Sequence, residues 1–344
     1  MVSMRKNLGK LLALLLAAMM LALPLSSCGK EEGGASSAQP ASSAAGPKTE
    51  VRLATLKGPT GIGMTYLLEK AEAKTALNDY SYVIANAPDE ISARLVAGEY
   101  DIAAVPTNLA ATLYNASNGK VKLLNLNTLG VLYVLEKGDS IKSLADLSGK
   151  TIYVSGQAAT PEYVLDYLLE ANGVEDVDIE FVADHAALAT MATSGKADIC
   201  MLPEPNVTAV VTQDKDIRVA LNMTDEWNKT VEKKGLGGSV LSMGCVVVRT
   251  EFAEKNPDAV KNFMTEYKES VEKVNADVDG AAQLCERFEI VPKAAIAKQA
   301  IPRCNIVYID GEQMKTQVEN FYKVLFDANP KSVGGKLPDA NFYY

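Results

Sequence analysis

The chain has 344 residues, of which 48 % are apolar, 22 % charged and 6 % aromatic, and its formal net charge is -9. At roughly 150 residues per domain, this length allows two domains with substantial cores. Residues 1–27 contain three basic and no acidic residues, so the remainder carries a charge of -12. This acidity argues against nucleic acid or anionic lipid as the main partner, because both attract concentrated Lys and Arg. The single histidine, His185, argues against many hydrolase and zinc mechanisms.

The N-terminus has the pattern of an export signal. Residues 1–10 are basic and residues 11–25 are almost wholly apolar. This apolar run is shorter than the roughly 20 residues that a membrane-spanning helix needs, but it suits the core of a signal peptide. It ends in Leu-Ser-Ser followed by Cys28, which resembles the bacterial lipobox, where small residues precede a cysteine that becomes lipidated. We therefore predict a lipoprotein signal peptide over residues 1–27 and lipidation of Cys28. An ordinary signal peptide with an incidental cysteine is the alternative.

Residues 28–49 are predicted to be a flexible tether. After Cys28 they are mainly Gly, Ala and Ser and contain no large apolar side chain, so they cannot build a core. About 20 such residues span roughly 25 Å on average. No later run is long and apolar enough to cross a bilayer, which argues against a channel or permease. The predicted protein is exported and lipid-anchored to the outer face of the bacterial cytoplasmic membrane.

Short apolar runs alternate with helical stretches from residue 51 onward. A strand over 51–56 leads through a Gly-rich turn into a helix over 64–76. A helix over 88–97 is indicated by proline at its start, two acidic residues in its first turn and glycine after its end. The other elements predicted here are strands over 80–85, 102–105 and 121–127 and a helix over 107–115. This alternation predicts an α/β fold with a mostly parallel sheet flanked by helices.

A nine-residue pattern occurs twice in the chain. Residues 98–106 (GEYDIAAVP) and 195–203 (GKADICMLP) share Gly, Asp, Ile and Pro at a spacing of 97. The strand, turn and helix at 51–76 also have a counterpart at 151–172. One short match can arise by chance, but several elements in the same order predict two lobes of similar topology.

The C-terminal part is predicted to be mainly helical after a strand over 242–248. Its predicted helices cover residues 257–276, 281–288, 292–300 and 313–326. This block has no sheet of its own, so we expect it to pack on the first lobe. The chain then crosses between the lobes twice, near 132–142 and 241–248, and the two crossings form a hinge. The predicted domains are residues 50–135 with 245–344 for lobe one, and 136–244 for lobe two.

Two further motifs carry a family resemblance. Residues 140–151 (SIKSLADLSGKT) resemble the entry into the second lobe of ABC-importer substrate-binding proteins, and residues 252–263 (FAEKNPDAVKNF) resemble one of their helices. With the repeat and the lipobox-like segment, residues 50–330 are similar to the type II periplasmic-binding fold. The nearest branch is the sulfonate, nitrate, taurine and thiamine-pyrimidine-precursor group (NMT1/THI5-like). The resemblance implies a two-lobed clamp that delivers a small molecule to a membrane permease with a cytoplasmic ATPase.

Four loops are predicted to face one ligand cleft, because ligands of doubly wound sheets bind beyond the carboxyl ends of strands. They are residues 57–63 and 105–109 in lobe one, and 155–161 and 202–206 in lobe two. Glycine admits close backbone approach, and helix starts favour partial negative charge. The predicted ligand-binding residues of these loops are Lys57, Pro59, Thr60, Gly61, Thr107, Asn108, Gln157, Thr160, Glu204 and Asn206. The alternative is that they are ordinary cap and turn residues.

The charged and aromatic residues give limited information about the ligand. Lys57 is the only cation in the four loops, whereas tight sulfonate or phosphate sites commonly use Arg. If Glu204 faces the cleft, it accepts a hydrogen bond from an amine or a ring N–H. That favours an amino or nitrogen-heterocyclic ligand, such as a pyrimidine-like vitamin precursor, and a solvent-facing acid is the alternative. Tyr133 and Trp227 are predicted stacking walls, with a place in the core or at the rim as the alternative.

We expect no cofactor, metal or nucleotide. The glycines of residues 58–63 are spaced G-x-x-G-x-G rather than in the Rossmann order, and GKT at 149–151 lacks the upstream glycine of a P-loop. No Cys–His cluster has the spacing of a metal site. Cys285 and Cys304 lie 19 residues apart and are candidates for a disulfide, which an exported location permits. Whether they are bonded stays open at this point.

The leading hypothesis is an extracytoplasmic solute-binding lipoprotein of an ABC importer, monomeric and without enzymatic activity. A binder of sulfonate, taurine or nitrate is the alternative within this class. Pyrimidine synthases that resemble this fold branch hold pyridoxal phosphate on a lysine and consume their own histidine. This chain lacks their Cys-rich motif, and His185 lies outside the four loops. A surface sensor that presents its ligand to a partner other than a permease is the third alternative.

Overall fold

The computed structural model describes residues 48–344. The predicted signal peptide, the lipidation site Cys28 and the tether up to residue 47 lie outside the described residues. None of the helices between residues 48 and 344 combines the length and the hydropathy of a membrane-spanning segment.

Every strand and helix predicted from the sequence is present, with ends that differ by a few residues. The strands are β1 Glu50–Leu56, β2 Asp79–Ala85, β3 Ile102–Pro106, β4 Val121–Leu129, β5 Leu132–Lys137, β6 Thr151–Ser155, β7 Asp178–Val182, β8 Ile199–Pro203, β9 Ile217–Asn222, β10 Ser242–Arg249 and β11 Ile306–Ile309. The helices are α1 Pro59–Ile62, α2 Thr65–Glu72, α3 Asp89–Val96, α4 Thr107–Ala116, α5 Thr160–Asn172, α6 His185–Thr193, α7 Asn206–Gln213, α8 Met223–Lys233, α9 Thr250–Lys255, α10 Pro257–Ala276, α11 Val278–Arg287, α12 Ala294–Ala300 and α13 Gly311–Ala328.

The strands form two sheets, which define two lobes. The sheet of lobe one has the order β11-β4-β10-β3-β1-β2, and that of lobe two has the order β7-β6-β8-β5-β9. Strands β1, β2 and β3 run parallel, as do β6, β7 and β8. The strands next to the lobe crossings, β5 and β10, pair antiparallel with their neighbours. The sheets are therefore mixed, and the predicted parallel order holds for the β-α-β units but not for the crossing strands.

The chain passes between the sheets at two places. It leaves β4 at Leu129 and enters β5 at Leu132, and it returns after α8 into β10 at Ser242. Gly130 in the first crossing admits no side chain, since a Cβ atom there would lie 2.0 Å from the hydroxyl of Thr224. The boundaries predicted at residues 135/136 and 244/245 fall inside β5 and β10, each of which pairs within a single sheet. The strands thus place the crossings a few residues earlier at both points.

Alternate residues of each strand point to different cores, as the pleat requires. In β3, Ile102 packs with α2, α10, α11 and α12 on one face of the sheet, whereas Ala103 faces α4 and α13 on the other. The second of these cores continues into lobe two, where it contains Val134 of β5 together with residues of α5 and α8. The opposite face of the second sheet packs against α6 and α7. The lobes therefore share one apolar core along one side.

Candidate functional site

A cavity of about 130 Å³ lies where the four predicted loops meet. Each loop contributes to its wall, and so do residues near the two crossings. The lining residues are Pro59, Thr60, Pro106, Thr128, Val131, Ala159, Thr160, Pro161, Pro203 and Met243. A larger depression of about 500 Å³ lies between α10, Tyr308 and Tyr344, on lobe one alone. The smaller cavity has walls from both lobes and from all four predicted loops, so we treat it as the candidate site.

The internal repeat positions equivalent residues of the two lobes in this cavity. Pro106 ends β3 and Pro203 ends β8, at matching places of the nine-residue pattern. Thr60 and Thr160 occupy matching places after β1 and β6, and both line the cavity. The site is therefore assembled from pairs of like positions in the two lobes.

Helix starts form part of the cavity wall. Pro59 is the first residue of α1, Pro106 precedes the first residue of α4, and Thr160 begins α5. None of these three helices has a side-chain hydrogen bond at its N-cap. Free N–H groups at a helix start carry partial positive charge and suit a ligand oxygen or ring nitrogen. The wall thus offers hydrogen-bond donors without a charged side chain.

Gly61 supports the wall without lining it. A Cβ atom at this position would lie 2.2 Å from the carbonyl oxygen of Leu56, so only glycine lets α1 turn back against the end of β1. This close approach positions Pro59 and Thr60 at the cavity.

Thr107 and Asn108 are buried beside the cavity and contact protein groups. The hydroxyl of Thr107 lies 2.8 Å from that of Ser242. The Asn108 amide donates to the carbonyl of Ser332 at 3.3 Å, and its oxygen accepts from the Thr160 hydroxyl at 2.8 Å. Asn108 belongs to lobe one and Thr160 to lobe two, so this last hydrogen bond joins the lobes.

Glu204 does not present its carboxylate to the cavity. The residue is fully buried, and its Oε1 lies 2.8 Å from a guanidinium nitrogen of Arg303 in lobe one. Its Oε2 accepts the backbone N–H of Thr208 at 3.1 Å. Burial raises the pKa of the Glu204 carboxyl, and the Arg303 charge and the Thr208 hydrogen bonds offset only part of that rise. Oε2 is thus hydrogen-bonded, whereas buried Oε1 forms the ion pair with Arg303 without a hydrogen bond. Because the carboxylate is fully buried beside Arg303, Glu204 is not placed as an acceptor for a ligand amine.

Three predicted contact residues lie outside the cavity wall. Lys57 is partly exposed, with its ammonium 3.9 Å from the carboxylate of Glu289. Gln157 is exposed and Asn206 half-buried. None of the three is among the lining residues.

The two predicted aromatic walls belong to the cores. Tyr133 packs with α6 and α7, and its hydroxyl donates to the carbonyl of Arg303 at 3.3 Å. Trp227 is fully buried between Tyr167 and Phe321, with ring centroids 5.2 and 5.6 Å away. The prediction of Trp227 as a stacking wall is wrong in this structure, because α8 turns the indole into the shared core rather than toward the cavity.

Sequence reasoning missed Thr128, Val131 and Met243 in the wall and Arg303 beside it. The first three flank the crossings between the lobes. A chain that crosses between the lobes must pass the base of the cleft. The residues next to the two predicted crossings could therefore have been predicted to line it. Arg303 lies in a short 3-10 turn between α12 and β11, with no motif around it.

The four described cysteines are free and buried. The candidate disulfide between Cys285 and Cys304 is therefore not formed in this structure. Both side chains pack in the core under α11 and α12. Burial raises the pKa of the Cys285 thiol to about 12, which disfavours the thiolate that disulfide exchange requires.

This architecture is the two-lobed type II periplasmic-binding fold. An ABC transporter structure from Parabacteroides distasonis matches with a TM-score of 0.72 and 24 % identity, covering 86 % of this chain and 99 % of that one. The periplasmic aliphatic sulphonate-binding protein SsuA of Escherichia coli matches with a TM-score of 0.67 and 16 % identity, over 83 % and 96 % of the two chains. The periplasmic nitrate-binding protein NrtA of Synechocystis PCC 6803 matches with a TM-score of 0.54 and 15 % identity, over 78 % and 74 %.

The sequence also matches the model of the NMT1/THI5-like family over residues 120–281, from the start of β4 into α11. No curated protein sequence matches the chain. The resemblance to this branch of the periplasmic binding proteins, inferred above from the motifs, is thereby confirmed.

Proposed function

We propose that the chain is the solute-binding component of an ABC importer, which captures a small molecule between its lobes and delivers it to a permease with a cytoplasmic ATPase. The observation that carries the proposal is the cavity between the lobes, with walls from four loops at equivalent positions. The solved proteins of the same fold include an ABC transporter structure and sulphonate-binding and nitrate-binding proteins. We propose that the chain acts as a monomer, since one chain supplies the whole cavity.

We propose that the ligand is compact and uncharged, with acceptor atoms on a flat body, as in a small nitrogen heterocycle. Four proline rings, Val131 and Met243 supply apolar walls. The Thr60 hydroxyl can donate a hydrogen bond, whereas the hydroxyls of Thr128 and Thr160 donate to Asn127 and Asn108 and can accept one. No charged side chain of residues 48–344 is among the lining residues. The volume of about 130 Å³ holds only a few water molecules at ~30 Å³ each. A ligand amine is less well supported than the sequence pattern suggested, because Glu204 pairs with Arg303.

A small anion such as a sulfonate or nitrate is the second candidate ligand. The uncapped starts of α4 and α5 at the wall favour it, because free N–H groups at a helix start attract negative charge. Isothermal titration with neutral heterocycles, aliphatic sulfonates and nitrate separates the two. Tight binding of an anion alone would remove the neutral-ligand proposal and leave the importer proposal in place.

The threonine hydroxyls of the wall provide a direct test of the site. Replacing Thr60 with valine keeps the shape and removes one hydroxyl of the wall, so we expect ligand affinity to fall by about fivefold, at ~1 kcal/mol for the lost hydrogen bond. Titration calorimetry with a ligand identified by mass spectrometry of the purified protein measures the change. Thr190→Val, on the exposed side of α6, is the matched control and should bind as the wild type does. Equal affinity of all variants would place the ligand elsewhere.

Attachment to the membrane is also proposed, through lipid on Cys28 after removal of residues 1–27. The lipobox-like segment and the acidic chain that follows support it. We expect Cys28→Ser to move the protein from the membrane fraction to the soluble fraction and to abolish incorporation of labelled palmitate in bacterial cells. Ser27→Ala, which keeps a small residue before the cysteine, should stay in the membrane fraction. Palmitate labelling that survives Cys28→Ser would contradict lipidation at this residue.

We propose no enzymatic activity for the cavity. His185 is the sole histidine of the chain, and its Nδ1 lies 2.6 Å from the hydroxyl of Ser155. Ser155 is buried, and neither residue is among the lining residues, so this pair has no access to a bound ligand. An absorbance band of a lysine adduct after incubation with pyridoxal phosphate would revive the synthase alternative.

A further inference from the structure

At two places next to the cavity, side chains of one lobe contact side chains of the other. One contact is the hydrogen bond from Thr160 to Asn108, at 2.8 Å. The other is formed by Arg303 of lobe one, whose guanidinium lies 2.8 Å from the Glu204 carboxylate and 2.5 Å from the Thr208 hydroxyl in lobe two. Thr160 of the first contact lines the cavity, and Glu204 of the second is the residue after Pro203, which also lines it. Both contacts therefore depend on the distance between the lobes.

The two partners of the interlobe ion pair differ in burial. The Glu204 side chain has no exposed surface, whereas that of Arg303 is 37 % exposed. Arg303 is the only cation that pairs with Glu204 among residues 48–344. A buried carboxylate without a partner is costly, whereas a partly exposed guanidinium keeps much of its hydration. Loss of the contact therefore affects Glu204 more than Arg303.

Glu204 is held against the crossing segment at the base of the cleft. Its backbone N–H donates to the carbonyl of Val131 at 3.0 Å, and Tyr133 of β5 donates to the carbonyl of Arg303. In lobe one, Arg303 is fixed between α12 and β11. If the lobes separate, Arg303 moves away from Glu204 and water reaches the carboxylate. The closed arrangement is then stabilised by the ion pair, and the open one by hydration of the Glu204 carboxylate.

We propose that Arg303 and Glu204 are positioning residues that hold the two lobes closed and thereby set ligand affinity. The link to affinity rests on the proposed solute-binding function, whereas the effect on closure does not. If the ligand binds only the closed arrangement, its apparent affinity falls with the fraction of molecules that are closed. Weakening the ion pair lowers that fraction and therefore raises the apparent dissociation constant.

The test of closure uses the purified full-length chain. We expect Arg303→Gln to raise the open-to-closed ratio by about tenfold, which corresponds to about 1.4 kcal/mol. Small-angle scattering should show a larger radius of gyration, and the fluorescence of Trp227 should change, because this sole tryptophan contacts Phe321 across the shared core. Arg287→Gln is the matched control. It removes an Arg–carboxylate pair with Glu72 that lies within lobe one, and it should leave both signals unchanged.

A pH series separates this role from a general loss of packing. In Arg303→Gln, lowering the pH should restore the closed form, because protonation removes the buried unpaired charge of Glu204. The other titratable neighbours of Glu204 are Tyr133 and Cys304, and both stay neutral as the pH is lowered, because burial raises the pKa of both. In the Glu204→Gln/Arg303→Gln double variant, which keeps the volume without the charges, no such recovery is expected.

The outcomes distinguish this proposal from the proposed function. Identical scattering of Arg303→Gln, Arg287→Gln and the wild type would overturn the positioning role, even if ligand binds normally. Failure of every variant to bind any ligand would count against the solute-binding function and leave the closure result intact. Should Arg303→Gln not fold, Arg303→Lys keeps the charge but not the guanidinium nitrogen that contacts both Glu204 and Thr208, and a partial opening is then expected.

Discussion

Replacing Asp101 with asparagine is expected to lower the free energy of unfolding by about 3 kcal/mol. The carboxylate is almost completely buried and accepts the backbone N–H and two guanidinium N–H groups of Arg52, at 2.7–3.0 Å. Arg249 donates a further hydrogen bond at 3.1 Å. Asp101 thus ties β1 and β10 to the start of β3. Removing its charge leaves Arg249, which is 15 % exposed, without its buried partner.

The internal repeat supplies a matched control. Asp198 occupies the same place in the second copy of the nine-residue pattern, but its side chain is exposed and contacts no arginine. We expect Asp198→Asn to change the free energy of unfolding by less than about 0.5 kcal/mol. Urea denaturation followed by circular dichroism measures both variants. Equal losses for the two would show that the aspartate acts through the turn it shares with its repeat rather than through its arginines.

The contribution of Asp101 depends on pH. Burial alone would raise the pKa of this carboxyl, but the hydrogen bonds from Arg52 and Arg249 outweigh it and hold the pKa below its ordinary value. A lowered folded-state pKa stabilises the protein above the unfolded-state value, which is about 3.9, and this stabilisation is lost as the pH falls through the folded-state pKa. The gap in stability between the wild type and Asp101→Asn should therefore be full at pH 6 and shrink below about pH 4.

The two aspartates also show what the sequence could and could not reveal. The repeat correctly predicted two similar lobes, and its two copies end at Pro106 and Pro203, which line one cavity. It did not distinguish a buried Asp101 from an exposed Asp198, because that difference depends on Arg52 and Arg249, which are distant in sequence. Local patterns specify strands, helix starts and loop positions. Residues that the order of the strands brings together lie far apart in the sequence, so no short sequence pattern predicts their contacts.

In the candidate site, too, local patterns predicted some features, whereas contacts between residues distant in sequence were missed. Thr60 and Thr160 were found because strand ends and helix starts are visible in the sequence. Glu204 looked like a ligand acceptor because its loop faces the cleft, but the residue that neutralises it, Arg303, lies about 100 positions away in a turn without a motif. The antiparallel direction of β5 and β10 was missed for a related reason, since it depends on how the chain enters each sheet from the other lobe.

Replacing Trp227 with alanine is expected to lower the free energy of unfolding by about 3–5 kcal/mol, the usual loss for a fully buried aromatic side chain. The indole packs between Tyr167 and Phe321, and its N–H has no hydrogen-bond partner among residues 48–344, so the loss is one of packing. Urea denaturation followed by circular dichroism measures it, with Tyr344→Ala as the control for an aromatic residue that is 47 % exposed. A second variant, Trp227→Phe, distinguishes a role in the core from a role in the ligand wall. As a core residue it should lose stability and keep ligand affinity, whereas lost affinity at unchanged stability would return Trp227 to the ligand.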